Sequence, residues 1–153
     1  MISTEEETEG LVKVFFEFYN EILEEDYVES LWASIENEEE GEYRLKNIPF
    51  FVTSYASEDV VLAEVENGRL VVKGLIKESG NSTLQIMCLK KEMAQSIQKK
   101  LEGFGCAWEG SHLPGYFSVD VPANIDYQPI KKYLDELEMA EVIGYAEACL
   151  AHK

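Results

Sequence analysis

The sequence is poor in positive charge. Its 153 residues include 13 lysines and arginines against 30 aspartates and glutamates, which gives a formal net charge of −17. A surface of this sign repels phosphate backbones and anionic lipids, so it argues against direct binding of nucleic acid or of a membrane. It attracts a basic protein instead, because opposite charge speeds the encounter of two proteins. High solubility alone is the alternative explanation for the same charge.

Cysteines and long apolar runs are also scarce. The three cysteines, Cys88, Cys106 and Cys149, are far apart and form no CxxC motif, which argues against a disulfide scaffold or a zinc site and for a reducing cytoplasm. The opening stretch MISTEEETEG is acidic where a secretory signal would carry basic residues, and no apolar run is long enough to span a membrane. We therefore predict a cytoplasmic protein without a metal or a cofactor.

The alternation of apolar residues divides the chain into three predicted parts. Residues 1–9 form an acidic tail, residues 10–78 a small β-barrel-like half, and residues 79–153 a mixed half. Residues 11–18 alternate with a period of two, which favours a strand, although residues 14–23 also fit one face of a helix. The first half is therefore predicted to be a small curled sheet or a partial barrel.

Two short motifs shape the first half. Asn67 and Gly68 stand between two alternating apolar runs, and this pair is typical of a tight hairpin turn. Pro49 cannot donate a hydrogen bond to a sheet, so the strand before it should end near Asn47. The apolar residues around this proline are then predicted to plug the open end of the barrel: Ile48, Phe50 and Phe51.

The second half mixes strand and helix patterns. From Ser82 onward the order is strand, helix, strand, strand, helix, strand, which predicts a ferredoxin-like βαββαβ unit and an α+β fold. Asp126 is predicted to cap the second helix. Two apolar stripes define the helices, Met93, Ile97, Leu101 and Phe104 in the first and Ile130, Tyr133, Leu134 and Leu137 in the second.

Few side chains suit catalysis, which requires a titratable group held near a partner. His112 lies in a predicted surface loop, and His152, next to the end of the sequence, is predicted to be mobile. Cys88 and Cys149 fall in the first and last strands of the predicted βαββαβ unit, where neighbouring strands could bring the thiols together; two small buried apolar groups are the alternative. The sequence shows no clear catalytic pair, so we predict no catalytic residue and favour a non-enzymatic protein.

The segment between the halves, ESGNST at residues 78–83, is polar. Gly80 in this segment allows the backbone to approach a ligand closely. The segment lacks the spacing of a phosphate-binding loop, and a simple linker turn is the alternative.

Four stretches resemble a bacterial domain-of-unknown-function family, number 4265. They are ESLWA at residues 29–33, YRLKNIPFF at 43–51, DVV at 59–61 and SGNST at 79–83, and the resemblance covers residues 11–148. The resemblance implies a division into two halves and a candidate ligand-binding surface, without an activity. That surface comprises Arg44, Asn47, Ser79, Asn81, Ser82 and Thr83. Many members of the family have histidine where this chain has Asn81, and an amide cannot exchange a proton near neutral pH.

Three functional hypotheses follow. The first is a non-enzymatic cytoplasmic binding protein whose acidic surface meets a basic protein, for example an immunity protein that neutralises a basic toxin. The second is a small-ligand or enzymatic site at the junction of the two halves, where Arg44 holds an anion. The third is a homodimer that pairs through the sheet of the second half.

Overall fold

The computed structural model describes residues 10–152, and it confirms the α+β class. The strands are β1 Leu11–Asn20, β2 Glu25–Asn37, β3 Glu42–Leu45, β4 Val60–Glu66, β5 Arg69–Lys77, β6 Ser82–Cys88, β7 Ala107–Gly110, β8 Tyr116–Val121 and β9 Ile143–Cys149. The helices are α1 Ala94–Gly103, which follows a 3-10 turn at Lys91–Met93, and α2 Gln128–Met139. The described residues divide into two compact units, the first formed by residues 10–47 and Ser57–Ser79, and the second by Ile48–Ala56 and residues 80–152.

The first unit is a closed sheet of five strands in the order β1-β2-β3-β4-β5. β1 pairs antiparallel with β2 along its whole length and parallel with β5 over two residues, which closes the sheet. The strand prediction for residues 11–18 is confirmed. Val14 and Phe16 on one face of β1 are buried, whereas Lys13 and Glu17 on the other face are exposed, as a period of two requires.

The predicted turn between β4 and β5 is confirmed. Glu66 pairs with Arg69, and the two residues between them, Asn67 and Gly68, have φ of 52° and 80°. Positive φ at both central positions gives a turn whose twist matches that of the flanking strands, and glycine adopts it without strain. The asparagine–glycine pair therefore sets the register at this end of the β4–β5 ladder.

The second unit is an antiparallel sheet of four strands in the order β7-β8-β6-β9. α1 and α2 pack on one face of this sheet and bury alternate residues of its central strands. The fully buried side chains of this core include Leu84 and Ile86 of β6, Phe117 and Val119 of β8, Ile97 and Leu101 of α1, and Ile130 and Leu134 of α2. The predicted helical stripes thus face the core.

The opposite face of this sheet is polar and yet buried. Thr83, Gln85 and Ser118 on that face are at most 5% exposed. Ile48–Ala56, which we call the covering segment, supplies backbone carbonyl oxygens that accept hydrogen bonds from these side chains, so their burial leaves no donor unpaired. The pairs are Ser118 Oγ to Ile48 at 3.4 Å, Tyr116 Oη to Phe50 at 2.6 Å, Gln85 Nε2 to Val52 at 3.4 Å, and Thr83 Oγ1 to Tyr55 at 3.0 Å.

The covering segment corrects one prediction. Ile48, Phe50 and Phe51, which were predicted to plug the barrel of the first unit, belong to a segment of the second unit. There the Phe51 ring stacks on Tyr116 with the ring centroids 5.0 Å apart. The chain does leave the β3 strand before Pro49, as predicted. Apolar composition indicated that these residues are buried, but it does not indicate which sheet they cover.

Candidate functional site

The six predicted site residues divide equally between the units, with Arg44, Asn47 and Ser79 in the first and Asn81, Ser82 and Thr83 in the second. The Arg44 guanidinium is engaged within the first unit. Its Nε lies 2.6 Å from Glu36 Oε1, and its Nη1 donates to the Glu58 carbonyl oxygen at 3.1 Å. The hydrogen bond between Arg44 and Glu36 raises the pKa of Arg44 and lowers the pKa of the Glu36 carboxyl. The cation that was predicted to hold an anion is thus paired with a carboxylate of its own unit.

Asn47 and Ser79 fix loops of the first unit. The Asn47 side-chain carbonyl accepts a hydrogen bond from the Trp32 backbone N–H at 2.7 Å, just beyond the end of β3. The Ser79 backbone N–H donates to Asp59 Oδ1 at 2.9 Å, and its hydroxyl donates to the Ser57 carbonyl oxygen at 2.9 Å. These bonds tie the residues after β5 to the residues before β4, so both side chains have a structural role.

Ser82 and His152 form a contact that the sequence patterns did not predict. Ser82 has no exposed surface, and its Oγ lies 2.6 Å from His152 Nδ1. The same oxygen accepts hydrogen bonds from the backbone N–H groups of Ala151 and His152 at 2.9 and 3.1 Å. His152 Nε2 lies 2.9 Å from the Pro122 carbonyl oxygen, which only accepts, so Nε2 is the donor; in the neutral ring, Nδ1 then accepts from the Ser82 hydroxyl. The prediction that His152 is mobile is therefore wrong.

A serine beside a histidine is also the arrangement of a nucleophile and its base. Here the Ser82 oxygen is fully buried and already accepts two backbone hydrogen bonds, so a substrate has no access to it. The pair instead fastens residues 151–152 to the start of β6. The two side chains are 70 positions apart in the sequence, and no local pattern could have connected them.

Asn81 and Thr83 complete the predicted set in the second unit. Thr83 is fully buried, and its hydroxyl donates to the covering segment. Asn81 accepts a hydrogen bond from the Ala123 backbone N–H at 3.0 Å and donates from Nδ2 to Asp120 Oδ2 at 3.4 Å. The amide uses an acceptor and a donor at the same time to hold the loop after β8.

The cysteines do not approach each other. β6 and β9 are neighbours, but Cys88 lies opposite Ile143 and Cys149 lies opposite Thr83, at the two ends of the pair. Five residues along a strand separate them by roughly 17 Å, so of the two alternatives the structure excludes a contact between these thiols. Burial raises the pKa of Cys88 and, together with a nearby carboxylate, raises the pKa of Cys106 to about 11. Both thiols therefore stay protonated near neutral pH.

A network of titratable side chains between α2 and β9 was not predicted. Tyr127 donates to Glu147 Oε2 at 2.7 Å, Tyr145 donates to Asp135, and Lys131 Nζ lies 3.7 Å from each of the two carboxylates. Burial raises the pKa of both tyrosines, so their phenols stay protonated and do not act as bases near neutral pH. The spacing of four between Tyr127, Lys131 and Asp135 is the signal that could have placed them on one helix face.

The strongest concentration of charge lies in the first unit. Residues 14–43 contain eleven acidic residues and no lysine or arginine. Within the described residues, β5 pairs with β1 only at Val14 and Phe15, and β3 pairs with β2 only from Ala33 onward. The outer end of the β1–β2 hairpin, residues 16–29, therefore pairs strand to strand only with itself. We call residues 16–29 the hairpin arm.

The hairpin arm exposes apolar and acidic side chains together. Tyr19, Ile22 and Val28 are between 44% and 55% exposed. The exposed acidic residues of the arm are Glu17, Glu21, Glu24, Glu25 and Asp26. A surface groove of 420 Å³ lies on the arm, lined by Glu17, Phe18, Tyr19, Asp26, Tyr27 and Val28. Carboxylates, aromatic rings and an aliphatic side chain thus share one concave surface.

Neither a cluster of metal-binding side chains nor a membrane-spanning helix occurs among the described residues. Among residues 10–152, no three histidine, cysteine, aspartate or glutamate side chains are grouped so that they could hold a metal ion. No helix in that range is both long and apolar enough to cross a membrane. All three cysteines are free thiols.

These features define an α+β protein with a closed five-stranded sheet, a four-stranded sheet and an acidic hairpin arm. Residues 29–145 match the model of a family described as a domain of unknown function (DUF4265), and the chain belongs to this family. The resemblance that the sequence motifs indicated is thereby confirmed.

One solved structure is similar to nearly the whole chain. It is the crystal structure of a hypothetical protein from Neisseria gonorrhoeae, with 26% sequence identity and a TM-score of 0.80. The similarity covers 94% of this chain and 97% of that chain, so the fold continues beyond the residues that match the family model. No curated protein matches the chain.

Proposed function

We propose that this protein binds a basic protein through the acidic surface of its first unit. The observation that carries the proposal is the uneven distribution of charge. The described residues of the first unit include 16 acidic and six basic residues, whereas those of the second unit include ten acidic and six basic residues. A surface with such an excess attracts a positively charged protein and speeds its encounter.

The ion pairs of the first unit support this proposal. Glu36, Glu58 and Glu66 are each paired with an arginine or a lysine of the same unit. In contrast, Glu21, Glu24, Glu25 and Asp26 on the hairpin arm form no ion pair within residues 10–152. Their charges are available to a partner, and a partner with matching positive charge would remove the repulsion between them.

A narrower form of the proposal is an immunity protein that neutralises a basic toxin in the cytoplasm. Attraction between opposite charges suits fast and tight inhibition. The three free cysteines suit a reducing compartment. Co-expression tests this form, since the protein should rescue cells from the toxic effect of the basic partner that it binds.

We also propose that the second unit is a ferredoxin-like βαββαβ unit. Its elements follow the order β6-α1-β7-β8-α2-β9, and the sheet order β7-β8-β6-β9 places the first strand between the third and the fourth. An experimental structure of this chain with a different strand order would contradict this assignment.

The main proposal is tested by capturing partners of the tagged protein from a lysate of its host at about 50 mM and about 500 mM salt. We expect one basic protein that is retained at low salt and reduced at high salt, because added ions screen exposed charges. The captured protein is then purified and titrated against the chain by calorimetry. Absence of any basic partner, or binding that high salt leaves unchanged, would contradict the proposal.

No specific observation favours the second hypothesis, a small-ligand or enzymatic site. Arg44 is paired with Glu36, and Ser82 and Thr83 are fully buried and hydrogen-bonded within the second unit. A thermal-shift screen with metabolites tests this hypothesis directly. A ligand that raises the melting temperature of the native chain but not of Arg44→Ala would favour it over binding of a basic protein. Light scattering tests the third hypothesis, the homodimer.

A further inference from the structure

The outer face of the hairpin arm is set by its strand register. Tyr19 lies opposite Asp26, and Glu17 lies opposite Val28. Side chains of directly opposed residues point to the same face of an antiparallel pair, so these four side chains form one contiguous patch. All four are exposed, whereas Phe16 on the other face of β1 is buried. The patch is therefore a sheet face without a covering element among the described residues.

The patch has the chemistry that a basic side chain requires. Glu17, Tyr19, Asp26 and Val28 all line the groove, so carboxylates, a phenol ring and an aliphatic side chain lie together on this face. A guanidinium or an ammonium group is bound by carboxylates and by the face of an aromatic ring, and its long aliphatic stem packs on apolar surface such as Val28.

The first unit already contains one arginine held in this manner. The Arg69 guanidinium lies 4.7 Å from the centre of the Phe15 ring, and its Nη2 lies 3.5 Å from Glu17 Oε2. Phe15 and Glu17 are on the same face of β1 as Tyr19, since they alternate along the strand. These contacts of Arg69 show that a ring and a carboxylate two positions apart on β1 bind an arginine side chain. Tyr19 and Asp26, which lie opposite each other on β1 and β2, offer a ring and a carboxylate further along the arm, and within residues 10–152 neither contacts a lysine or an arginine.

We propose that the outer face of the hairpin arm is the docking surface for the basic protein, and that the Tyr19–Asp26 pair receives an arginine or lysine side chain of that protein. This inference rests on the proposed function and names the surface that performs it. Charge complementarity selects the partner, because Glu21, Glu24, Glu25 and Asp26 of the arm form no ion pair within residues 10–152. The exposed tyrosine supplies the contact area that is typical of an interface anchor.

The test uses the full chain, labelled with nitrogen-15, and a hexa-arginine peptide as the probe. We expect the backbone amide shifts at low salt to concentrate on residues 17–28, with smaller shifts at Glu38, Glu39 and Glu40, which are equally acidic but lie in the turn between β2 and β3. Shifts that concentrate on that turn, or that spread evenly over all acidic residues, would overturn the inference and leave the proposed function standing. Absence of binding anywhere at low salt would overturn both.

A pair of matched variants provides the second readout. Tyr19→Ser combined with Asp26→Asn should weaken binding of the peptide about tenfold or more, since an aromatic anchor and a charge are lost together. Glu39→Gln combined with Glu40→Gln removes more charge from the same unit and should weaken binding less than about threefold. Equal losses in the two variants would mean that total charge alone governs binding, and would overturn the inference. Circular dichroism establishes that both variants remain folded.

Discussion

The two units differ in what they bury: the second buries polar side chains, whereas the first exposes apolar ones. In the second unit, a polar sheet face is buried under the covering segment, and Thr83, Gln85 and Ser118 donate to its carbonyl oxygens. In the first unit, Tyr19 and Val28 are exposed among acidic residues on the hairpin arm. A buried face whose side chains are hydrogen-bonded to the covering segment stabilises one packing of its own chain, whereas exposed apolar groups beside exposed charges contribute little to it. The buried sheet face of the second unit therefore contributes to stability, whereas the exposed hairpin arm of the first unit is suited to binding another protein.

The largest expected difference between the units concerns two aromatic residues. Phe51 of the covering segment is buried and stacks on Tyr116, so Phe51→Ala should lower the free energy of unfolding by about 3–5 kcal/mol. Tyr19→Ala on the hairpin arm should change it by no more than about 0.5 kcal/mol, because Tyr19 is exposed. Urea denaturation measures both values. Similar losses for the two variants would contradict the assignment of Phe51 to the core and of Tyr19 to the free surface.

A smaller effect is expected from a single hydroxyl under the covering segment. Tyr116→Phe removes the donor to the Phe50 carbonyl oxygen, and the buried acceptor that remains unpaired should cost about 1–3 kcal/mol. Tyr133→Phe is the matched control, since the Tyr133 hydroxyl has no hydrogen bond within residues 10–152. The same denaturation experiment measures both variants, and a loss in the control as large as that of Tyr116→Phe would argue against the covering role.

The turn of the hairpin arm should show a still smaller effect. Asn20 Oδ1 accepts hydrogen bonds from the backbone N–H groups of Ile22 and Leu23 at 3.0 and 3.1 Å, and Asn20 is 1% exposed. Asn20→Ala should therefore cost about 1 kcal/mol and speed hydrogen exchange at those two amides. Asn37→Ala, which removes one exposed turn hydrogen bond to Glu40, should cost less. Unchanged exchange at Ile22 and Leu23 would show that Asn20 does not order the arm.

The smallest expected effect is a difference in the rate at which the cysteines are chemically modified. At about pH 8, iodoacetamide should modify Cys149 before Cys88 and Cys106, since the last two are buried thiols that stay protonated. Mass spectrometry of peptides measures the order of labelling, with the denatured chain as the control in which all three react. Modification of Cys106 as fast as Cys149 would show that the interior of the second unit opens more readily than its packing implies.

Much of the fold could be predicted because its signals are local. The period of two in β1, the Asn67–Gly68 turn and the two helical stripes each depend on residues close together in the sequence. The candidate site could be predicted less well. The motif that surrounds Ser82 predicted a ligand-binding surface. In the structure, however, Ser82 has a structural role, because its hydroxyl contacts His152, 70 positions away in the sequence. Long-range partners of this kind leave no trace in local periodicity.

Side-chain pattern and composition were enough to specify the strands, the helices, the hairpin turn and the excess of negative charge, because these features depend on residues close together in the sequence. Three features became known only from the folded chain: Ile48–Ala56 covers the polar face of the second sheet, Cys88 and Cys149 lie at opposite ends of their strand pair, and Tyr19 and Asp26 share an exposed face. Register and packing depend on which distant segments meet, and many pairings satisfy the same local pattern until the chain has folded.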